Sequence, residues 1–353
     1  MDIIKEIKVN AMSTISEILP YRLPRIKNRR LQDPHVVIVG AGASIVACRL
    51  DKNGMKVPLL KNIHNILGLT DELNKYNFSK EEMQDFELLY SNIYNKDMYA
   101  SLQRYLEKSV RDYFKKLTIP DEPTMYDYLI LSLTDKDAII SFNWDPFLMQ
   151  AYRRNLNVGN LPMLIFPHGN VGMGICEKCH TMGYADTLCT ECYNEYQDMP
   201  LLFPIGKKDY HKHDIIKYQW KLAKEYLSRA AGITVYGYGV PDTDREAYDL
   251  IKEAYSESNI KDIAPFTIIN LLSEKQTQMD KWKELLDDKM VDFAEKFEDT
   301  ILWRNPRVSL EHLFDAILQQ HPRTQEKSYK MFNTLTELQQ FILTIDDFDL
   351  YFE

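Results

Sequence analysis

The stretch that decides the fold is HVVIVGAGAS, residues 35–44. Residues 36–39 are apolar and mostly β-branched, which is typical of a buried strand in a parallel sheet. The run ends at GAGAS, residues 40–44, where two glycines without a Cβ let the backbone turn sharply and approach a ligand closely. A helix that begins at Ser44 would direct free N–H groups at an anion such as a pyrophosphate. Because Ile45 replaces the third glycine of the dinucleotide fingerprint, the motif alone leaves a plain strand–helix turn equally open.

Length and composition restrict the class of protein. The chain has 353 residues, of which 45% are hydrophobic, enough for one large domain with insertions or for two domains. A formal net charge of −9 argues against direct nucleic-acid binding. No apolar run approaches the length of a membrane span, and the first residues lack the pattern of a signal peptide. We therefore expect a cytoplasmic protein that does not contact membranes.

Two further strands are predicted to end in polar residues. The segment DAIISFNWD, residues 137–145, finishes with Asn143 and Asp145. The segment MLIFPHGN, residues 163–170, finishes with His168, whose imidazole suits acid–base work near neutral pH. Because the carboxyl ends of parallel strands form the ligand crevice of an open α/β sheet, these side chains are candidates for ligand contacts. An Asn/Asp turn and a merely structural histidine remain the alternatives.

A second glycine turn follows another predicted strand. The segment GITVYGYGVPDTD, residues 232–244, repeats the strand–turn pattern of residues 35–44, and its two aspartates are placed to cap the next helix. The segment PFTIINL, residues 265–271, predicts a fifth strand with Asn270 near its end. Five strands with helices between several of them predict an α/β fold with a doubly wound, Rossmann-like parallel sheet.

The remaining segments divide the chain. Residues 1–31 predict an N-terminal arm. Residues 59–131 show helical periodicity and predict a helical insertion between the first two strands. Residues 272–353 again look mainly helical and predict a C-terminal helical region.

Four of the five cysteines form two C-x-x-C pairs within residues 172–198. In a reducing compartment this spacing favours a metal site over disulfides, and four thiolates complete a tetrahedral structural zinc site with no open position for catalysis. A redox dithiol is the alternative. The predicted zinc ligands are Cys176, Cys179, Cys189 and Cys192.

The order of these motifs resembles that of the sirtuin family, and more closely that of the divergent sirtuin-like proteins of bacterial antiphage defence. The resemblance covers roughly residues 33–271 and implies an NAD-binding domain over residues 32–271, with NAD⁺ as substrate. It implies that the diphosphate is held by Gly40, Ala41, Gly42 and Ser44, and that Asn143 and Asp145 lie by the nicotinamide ribose and carboxamide. It also implies that His168 is the catalytic base and that Gly237 and Asn270 contact the adenosine side of NAD⁺. Asp244 matches the aspartate of the Gly-Tyr-Ser pattern of the defence branch.

Differences from the sirtuin sequence pattern indicate whether to expect deacetylation or NAD⁺ hydrolysis. The Asp-Phe-Arg segment of the deacetylases is absent after the glycine turn, and Phe142 stands where they carry glutamine. Their peptide-binding Phe-Gly-Glu strand is also missing from residues 200–210. The sequence therefore favours water as nucleophile and predicts an NAD⁺ hydrolase that depletes NAD⁺ as a defence effector.

Two other functions remain open. One is an NAD-dependent protein deacylase, and the other is a non-catalytic subunit that senses NAD or ADP-ribose. Because an NAD⁺-destroying effector must be silent in healthy cells, we expect a homo-oligomer or a partner protein, which in the family includes ATPases and Argonaute-like proteins.

Overall fold

The computed structural model describes residues 32–205, 210, 212–258, 264–286, 291–311, 313 and 328–349. The chain divides into two compact units, residues 1–32 and 33–353. The N-terminal arm predicted for residues 1–31 lies outside the described residues. None of the helices in the described ranges is long and apolar enough to cross a membrane.

The strands of the described residues form two sheets. Strands β3-β2-β1-β7-β8-β9 make one sheet in that order, and every pairing in it is parallel. Counting only these six strands, the order is 3-2-1-4-5-6, the order of a Rossmann fold, so the predicted fold class is confirmed. The strands are β1 (His35–Val39), β2 (Ala138–Ser141), β3 (Met163–Ile165), β4 (Met173–Cys176), β5 (Thr181–Tyr184), β6 (Gln197–Asp198), β7 (Gly232–Tyr236), β8 (Phe266–Ile269) and β9 (Val291–Ala294).

Strand β1 occupies the centre of the large sheet because its side chains are apolar on both faces. Val36 aligns with Ala138 of β2 on one side and with Ile233 of β7 on the other. The four residues 36–39 have no exposed surface. Burying a side chain of this size contributes roughly 1.5–3 kcal/mol relative to leaving it in water, so β1 is a main source of core stability.

Helices cover the sheet and fill the predicted insertion between β1 and β2. The last insertion helix, α6, begins with a capping box in which Thr124 and Asp127 bond each other's backbone N–H groups. The helices are α1 (Ala41–Ala47), α2 (Ile63–Ile66), α3 (Thr70–Leu73), α4 (Phe86–Ile93), α5 (Ala100–Lys115), α6 (Met125–Leu131), α7 (Phe147–Arg154), α8 (Asp214–Leu227), α9 (Arg245–Ser256), α10 (Lys275–Leu286), α11 (Ile301–Arg304) and α12 (Leu335–Asp349).

Strand β9 lies in the region that the sequence predicts to be mainly helical. It pairs in parallel with β8, with Ile269 opposite Ala294, and so extends the sheet beyond residue 271. The sequence missed it because an edge strand needs little apolar surface, and only Ala294 of its four residues is buried. The domain division at residue 271 stays a prediction.

A buried polar cluster closes the amino edge of the large sheet. The ring nitrogens of His35 lie 3.2 Å from the Ser309 hydroxyl and 2.9 Å from the Thr234 hydroxyl. The backbone N–H of His35 donates to Asp137 at 2.8 Å, and Asp137 lies 3.0 Å from the ammonium of Lys136. Burial lowers the pKa of His35 to about 4 although Asp137 opposes the shift, so this histidine is neutral at pH 7.

Candidate active site

The sheet brings five of the predicted site residues to its carboxyl edge. Gly40, Asn143, His168, Gly237 and Asn270 each follow the end of a different parallel strand. Between β1 and β7 the chain reverses the direction in which it adds strands, and open α/β sheets bind ligands at such a switch point. The two glycine turns lie on either side of this point.

The two glycine turns pack directly on each other. The N–H of Gly42 donates to the carbonyl of Gly237 at 3.0 Å. Gly237 has a φ of +60°, and a Cβ there would come within 2.3 Å of the Ala43 nitrogen. Both glycines are therefore required by backbone packing, a reason that the sequence did not reveal. Ala41, at the start of α1, is exposed at the surface of this turn.

Asn143 is held against the first glycine turn. Its side-chain nitrogen lies 2.8 Å from the Gly40 carbonyl, 3.0 Å from the Ser44 hydroxyl and 3.1 Å from the Tyr126 hydroxyl. The amide has only two hydrogens for these three acceptors, so it is fully used as a donor. Asn143 is thereby fixed beside the turn that the resemblance assigns to the diphosphate.

Ser44 and Asp145 form the acidic end of the same network. The Ser44 hydroxyl donates to Asp145 at 2.7 Å, and the Phe147 N–H donates to the other carboxylate oxygen at 3.2 Å. Burial raises the pKa of Asp145 to about 6, although these two hydrogen bonds oppose the shift. The carboxylate is therefore mostly ionised at pH 7 but easily neutralised. Ser44 is fully buried, and its role as a diphosphate contact stays a prediction.

Tyr126 completes the network and was not anticipated from the sequence. It lies in α6, at the end of the helical insertion, and its hydroxyl is 2.7 Å from that of Ser44. The side chain has no exposed surface, and burial raises its pKa well above the usual value. No local signal identifies it, because a tyrosine in an apolar helix predicts only a core position.

His168 lies in a chamber of aromatic rings. The Phe142 ring meets it edge-on at 4.8 Å between centroids, and the Tyr210 ring is nearly parallel to it at 6.1 Å. Its Nε2 is 3.9 Å from a carboxylate oxygen of Asp244, whose other oxygen accepts a hydrogen bond from Tyr238 at 3.1 Å. A carboxylate at this distance stabilises a protonated imidazole, so the arrangement suits a histidine that gains a proton during a reaction.

Asp244 does not have the capping role that the sequence predicts. It is the residue before α9, but its side chain accepts no hydrogen bond from the first turn of that helix. The prediction was wrong because the carboxylate is turned instead towards Tyr238 and His168. The side chain of Asp242, the other predicted cap, lies outside the described residues.

The segment after residue 199 packs on the turn that carries His168. Gly169 has a φ of +79°, and a Cβ there would lie 1.9 Å from the carbonyl oxygen of Pro200. The Leu202 N–H donates to the His168 carbonyl at 2.9 Å. This close backbone contact makes a glycine necessary immediately after His168.

The site is enclosed at its centre and open at one end. Asn143 is 8% exposed, and Asp145 and His168 are each 4% exposed. Asn270, by contrast, is half-buried, accepts the N–H of its neighbour Leu271, and is followed by two largely exposed leucines. A ligand can therefore meet the Asn270 end directly but reaches the central side chains only if the surrounding loops move.

The four predicted zinc ligands converge on one point. All four sulfur atoms lie within 4.8 Å of one another, and those of Cys176 and Cys192 are 3.6 Å apart. Tetrahedral zinc with Zn–S bonds of about 2.3 Å separates its sulfurs by roughly 3.8 Å, so the donor set fits this ion. The Thr181 hydroxyl lies 3.2 Å from the Cys189 sulfur, where it can donate a hydrogen bond to the thiolate that zinc requires.

The cysteines belong to a small module of three antiparallel strands in the order β5-β4-β6. Charged contacts join the module to two neighbouring helices. Arg153 of α7 binds both oxygens of Asp186 at 2.8 and 2.9 Å, and Lys115 of α5 lies 2.6 Å from Asp198. The module is thereby held against α5 and α7.

The fold and this edge define a Rossmann-type α/β protein with a buried polar site and a four-cysteine metal module. No family model matches the chain, and no curated protein matches its sequence. It is similar to a solved Sir2 homologue in complex with NAD, at 12% identity over 75% of this chain and 96% of that chain, with a TM-score of 0.36. It is also similar to Sir2 in complex with the inhibitor EX-527, 2′-O-acetyl-ADP-ribose and a deacetylated p53 peptide, at 15% identity, 81% and 94% coverage and a TM-score of 0.36. At these values the likeness carries no argument about activity.

Proposed function

We propose that the protein hydrolyses NAD⁺ to nicotinamide and ADP-ribose. The observation that carries the proposal is the contact between the Asn143 amide and the Gly40 carbonyl. A dinucleotide on the glycine turn would have its reactive ribose beside Asn143 and Asp145. The order of motifs along the sequence, which resembles that of the sirtuins, supports NAD⁺ as this dinucleotide.

The chemistry needs little from a general acid. When the bond between the ribose carbon and the pyridinium nitrogen breaks, the electron pair stays on nitrogen and nicotinamide leaves as a neutral molecule. Positive charge develops on the ribose, where the buried Asp145 carboxylate can stabilise it. Water then bonds to the ribose carbon, oriented by Asn143, and its proton passes to His168 and on to solvent. Asp244 stabilises the imidazolium that forms.

The role that we propose for this activity is depletion of NAD⁺ by a bacterial antiphage defence effector. The support is the resemblance of the motif order to that of the divergent defence branch. The enclosed site agrees with an effector at rest, since the central side chains become accessible only after a rearrangement. Such control would come from a homo-oligomer or from a partner protein.

The test is chromatographic detection of nicotinamide and ADP-ribose after incubation of the purified protein with NAD⁺. Wild type should release both products, alone or once a trigger or partner has opened the site, whereas His168→Ala and Asn143→Ala should release neither under the same conditions. His35→Gln, which changes a buried histidine at the other edge of the sheet, is the matched control and should retain activity.

A non-catalytic sensor of NAD or ADP-ribose is the second candidate. The closure of the site favours it, because bound ligand could be held without access for bulk water. It predicts calorimetric binding of NAD⁺ or ADP-ribose with no product release, even when a candidate partner protein is added. Turnover that appears on adding that partner would instead identify an effector at rest.

A further inference from the structure

Asn170, two residues after His168, connects the two loops that carry the proposed catalytic groups. Its side-chain nitrogen donates to the carbonyl of Asp145 at 2.7 Å and to the carbonyl of Asn143 at 3.1 Å. Its side-chain oxygen accepts the N–H of Gly172 at 2.8 Å. Asn170 has no exposed surface, so these bonds form away from water.

Two of these bonds join one loop to the other, and the third lies within the loop after β3 and fixes the orientation of the Asn170 side chain. The loop after β2 supplies the two carbonyls, and the loop after β3 supplies Asn170 and the Gly172 N–H. One backbone bond runs parallel to them, from the Val171 N–H to the Trp144 carbonyl at 3.0 Å. The main chain of Asn143 and Asp145 is therefore held against the segment that begins at His168.

We propose that Asn170 is a positioning residue that sets the distance between Asn143 and His168. The proposal rests on the hydrolase function, which gives those two residues their roles. Holding reacting groups in register supplies much of an enzyme's rate, and a displacement of about 1 Å can lower it by on the order of 10²-fold. The carbonyls that Asn170 binds belong to the proposed catalytic residues themselves, so a displacement of the Asn170 side chain would displace those residues as well.

Only asparagine meets the geometric demand. One planar group must offer two N–H donors to two carbonyls on one side and an acceptor to Gly172 on the other. Aspartate offers no donor and would place its charge against the carbonyls, whereas glutamine is one methylene longer. Both substitutions should therefore fail to restore the rate.

The chain contains a matched control in Asn155. Its side-chain nitrogen donates to Asp127 and to the Ala151 carbonyl, both at 2.8 Å, and its oxygen accepts from Gln339 at 3.0 Å. It is also without exposed surface, but its partners lie on α6, α7 and α12 rather than on the two loops. Asn155→Ala and Asn170→Ala should thus lose similar stability for different reasons.

The experiment measures kcat and KM for NAD⁺ at a temperature where both variants are folded. Asn170→Ala should lower kcat by roughly 10–100-fold while KM changes far less, because a misplaced catalytic group affects the transition state more than binding. Asn155→Ala should retain the wild-type kcat. Equal kcat values in the two variants would overturn the proposal.

Amide hydrogen exchange tests whether Asn170 holds the two loops together independently of any hydrolase activity. In Asn170→Ala the amides of Phe147, Val171 and Gly172 should exchange faster than in wild type, and in Asn155→Ala they should not. If wild type releases no nicotinamide under any condition, the hydrolase function fails, and the exchange result alone then decides whether Asn170 holds the loops together. Unchanged exchange would reject that role as well.

Discussion

The two edges of the large sheet both bury a histidine and an aspartate, but the pKa of the aspartate is lowered at one edge and raised at the other. At the amino edge, burial alone would raise the pKa of Asp137, but Lys136 and the N–H groups of His35 and Thr134 outweigh it and lower the pKa. At the carboxyl edge, burial prevails and raises the pKa of Asp145 to about 6. The ionised form of Asp137 is therefore favoured by its neighbours, whereas a carboxylate whose ionised form is disfavoured by burial is typical of a functional site.

Alanine substitution of the two histidines gives the first test of this contrast. His168→Ala should lower kcat by on the order of 10²–10⁴-fold, the usual contribution of a general base. His35→Ala should destabilise the protein by about 3 kcal/mol, because it removes two buried hydrogen bonds and leaves a cavity, but should leave kcat unchanged. Steady-state kinetics and urea unfolding test both. Loss of activity in the folded His35 variant would show that the edges are not separate.

The aspartates provide the second test. At pH 7.5, Asp137→Asn should lower the free energy of unfolding by about 3 kcal/mol, since Lys136 loses a buried counter-charge. Asp145→Asn should instead raise it, by roughly 1–3 kcal/mol, because the cost of a buried anion disappears. The same Asp145 variant should lose on the order of 10²-fold in kcat. Destabilisation by both substitutions would contradict the contrast between the edges.

His35 and Asp145 should also change the stability of the protein in opposite directions as the pH falls. His35 has a folded pKa of about 4, below its unfolded value near 6.5, so its contribution to stability is lost as the pH falls from 6.5 to 4. Asp145 has a folded pKa of about 6, above its unfolded value of 3.8, so the folded state gains stability as the pH falls through 6. Each contribution is about 3 kcal/mol, and the two nearly cancel.

Asp145→Asn removes the aspartate's contribution to this pH dependence and leaves that of His35. Relative to wild type, the variant should lose about 3 kcal/mol more on going from pH 6.5 to pH 4, measured by urea unfolding at several pH values. His35→Gln should show the opposite deviation. Parallel curves for the three proteins would mean that the two groups titrate normally in the folded state.

The smallest expected effect concerns Tyr126. Tyr126→Phe removes the hydroxyl between Ser44 and Asn143 and should cost about 1–2 kcal/mol of stability and at most about tenfold in kcat. Tyr128→Phe is the control on the same helix, because its buried hydroxyl accepts the Phe332 N–H at 2.8 Å away from the site. The control should lose similar stability and retain full activity. A decrease in kcat in both variants would assign the effect to the helix rather than to the network.

Features that depend on short stretches of chain were predicted from the sequence. The apolar runs of β1 and β2, the helical insertion and the cysteine knuckles were found because strand periodicity, helix periodicity and C-x-x-C spacing act over a few residues. Strand β9 was missed because an edge strand needs no long apolar run. The cap assigned to Asp244 was wrong because its carboxylate is turned towards Tyr238 and towards His168, which lies far away in the chain.

The sequence was enough to predict the Rossmann-like class, the strand ends that carry Asn143 and His168, and the four metal ligands. The folded structure was needed to show that Tyr126 bonds Asn143, that Asn170 joins the two loops, and that burial disfavours ionised Asp145 whereas the neighbours of Asp137 favour its ionised form. The reason is that the hydrogen bonds of Asn143 join groups 17 to 103 positions apart in the chain, and that both pKa values depend on burial, which only the fold creates. The periodicity of apolar residues does not show which distant parts of the chain become neighbours in the fold.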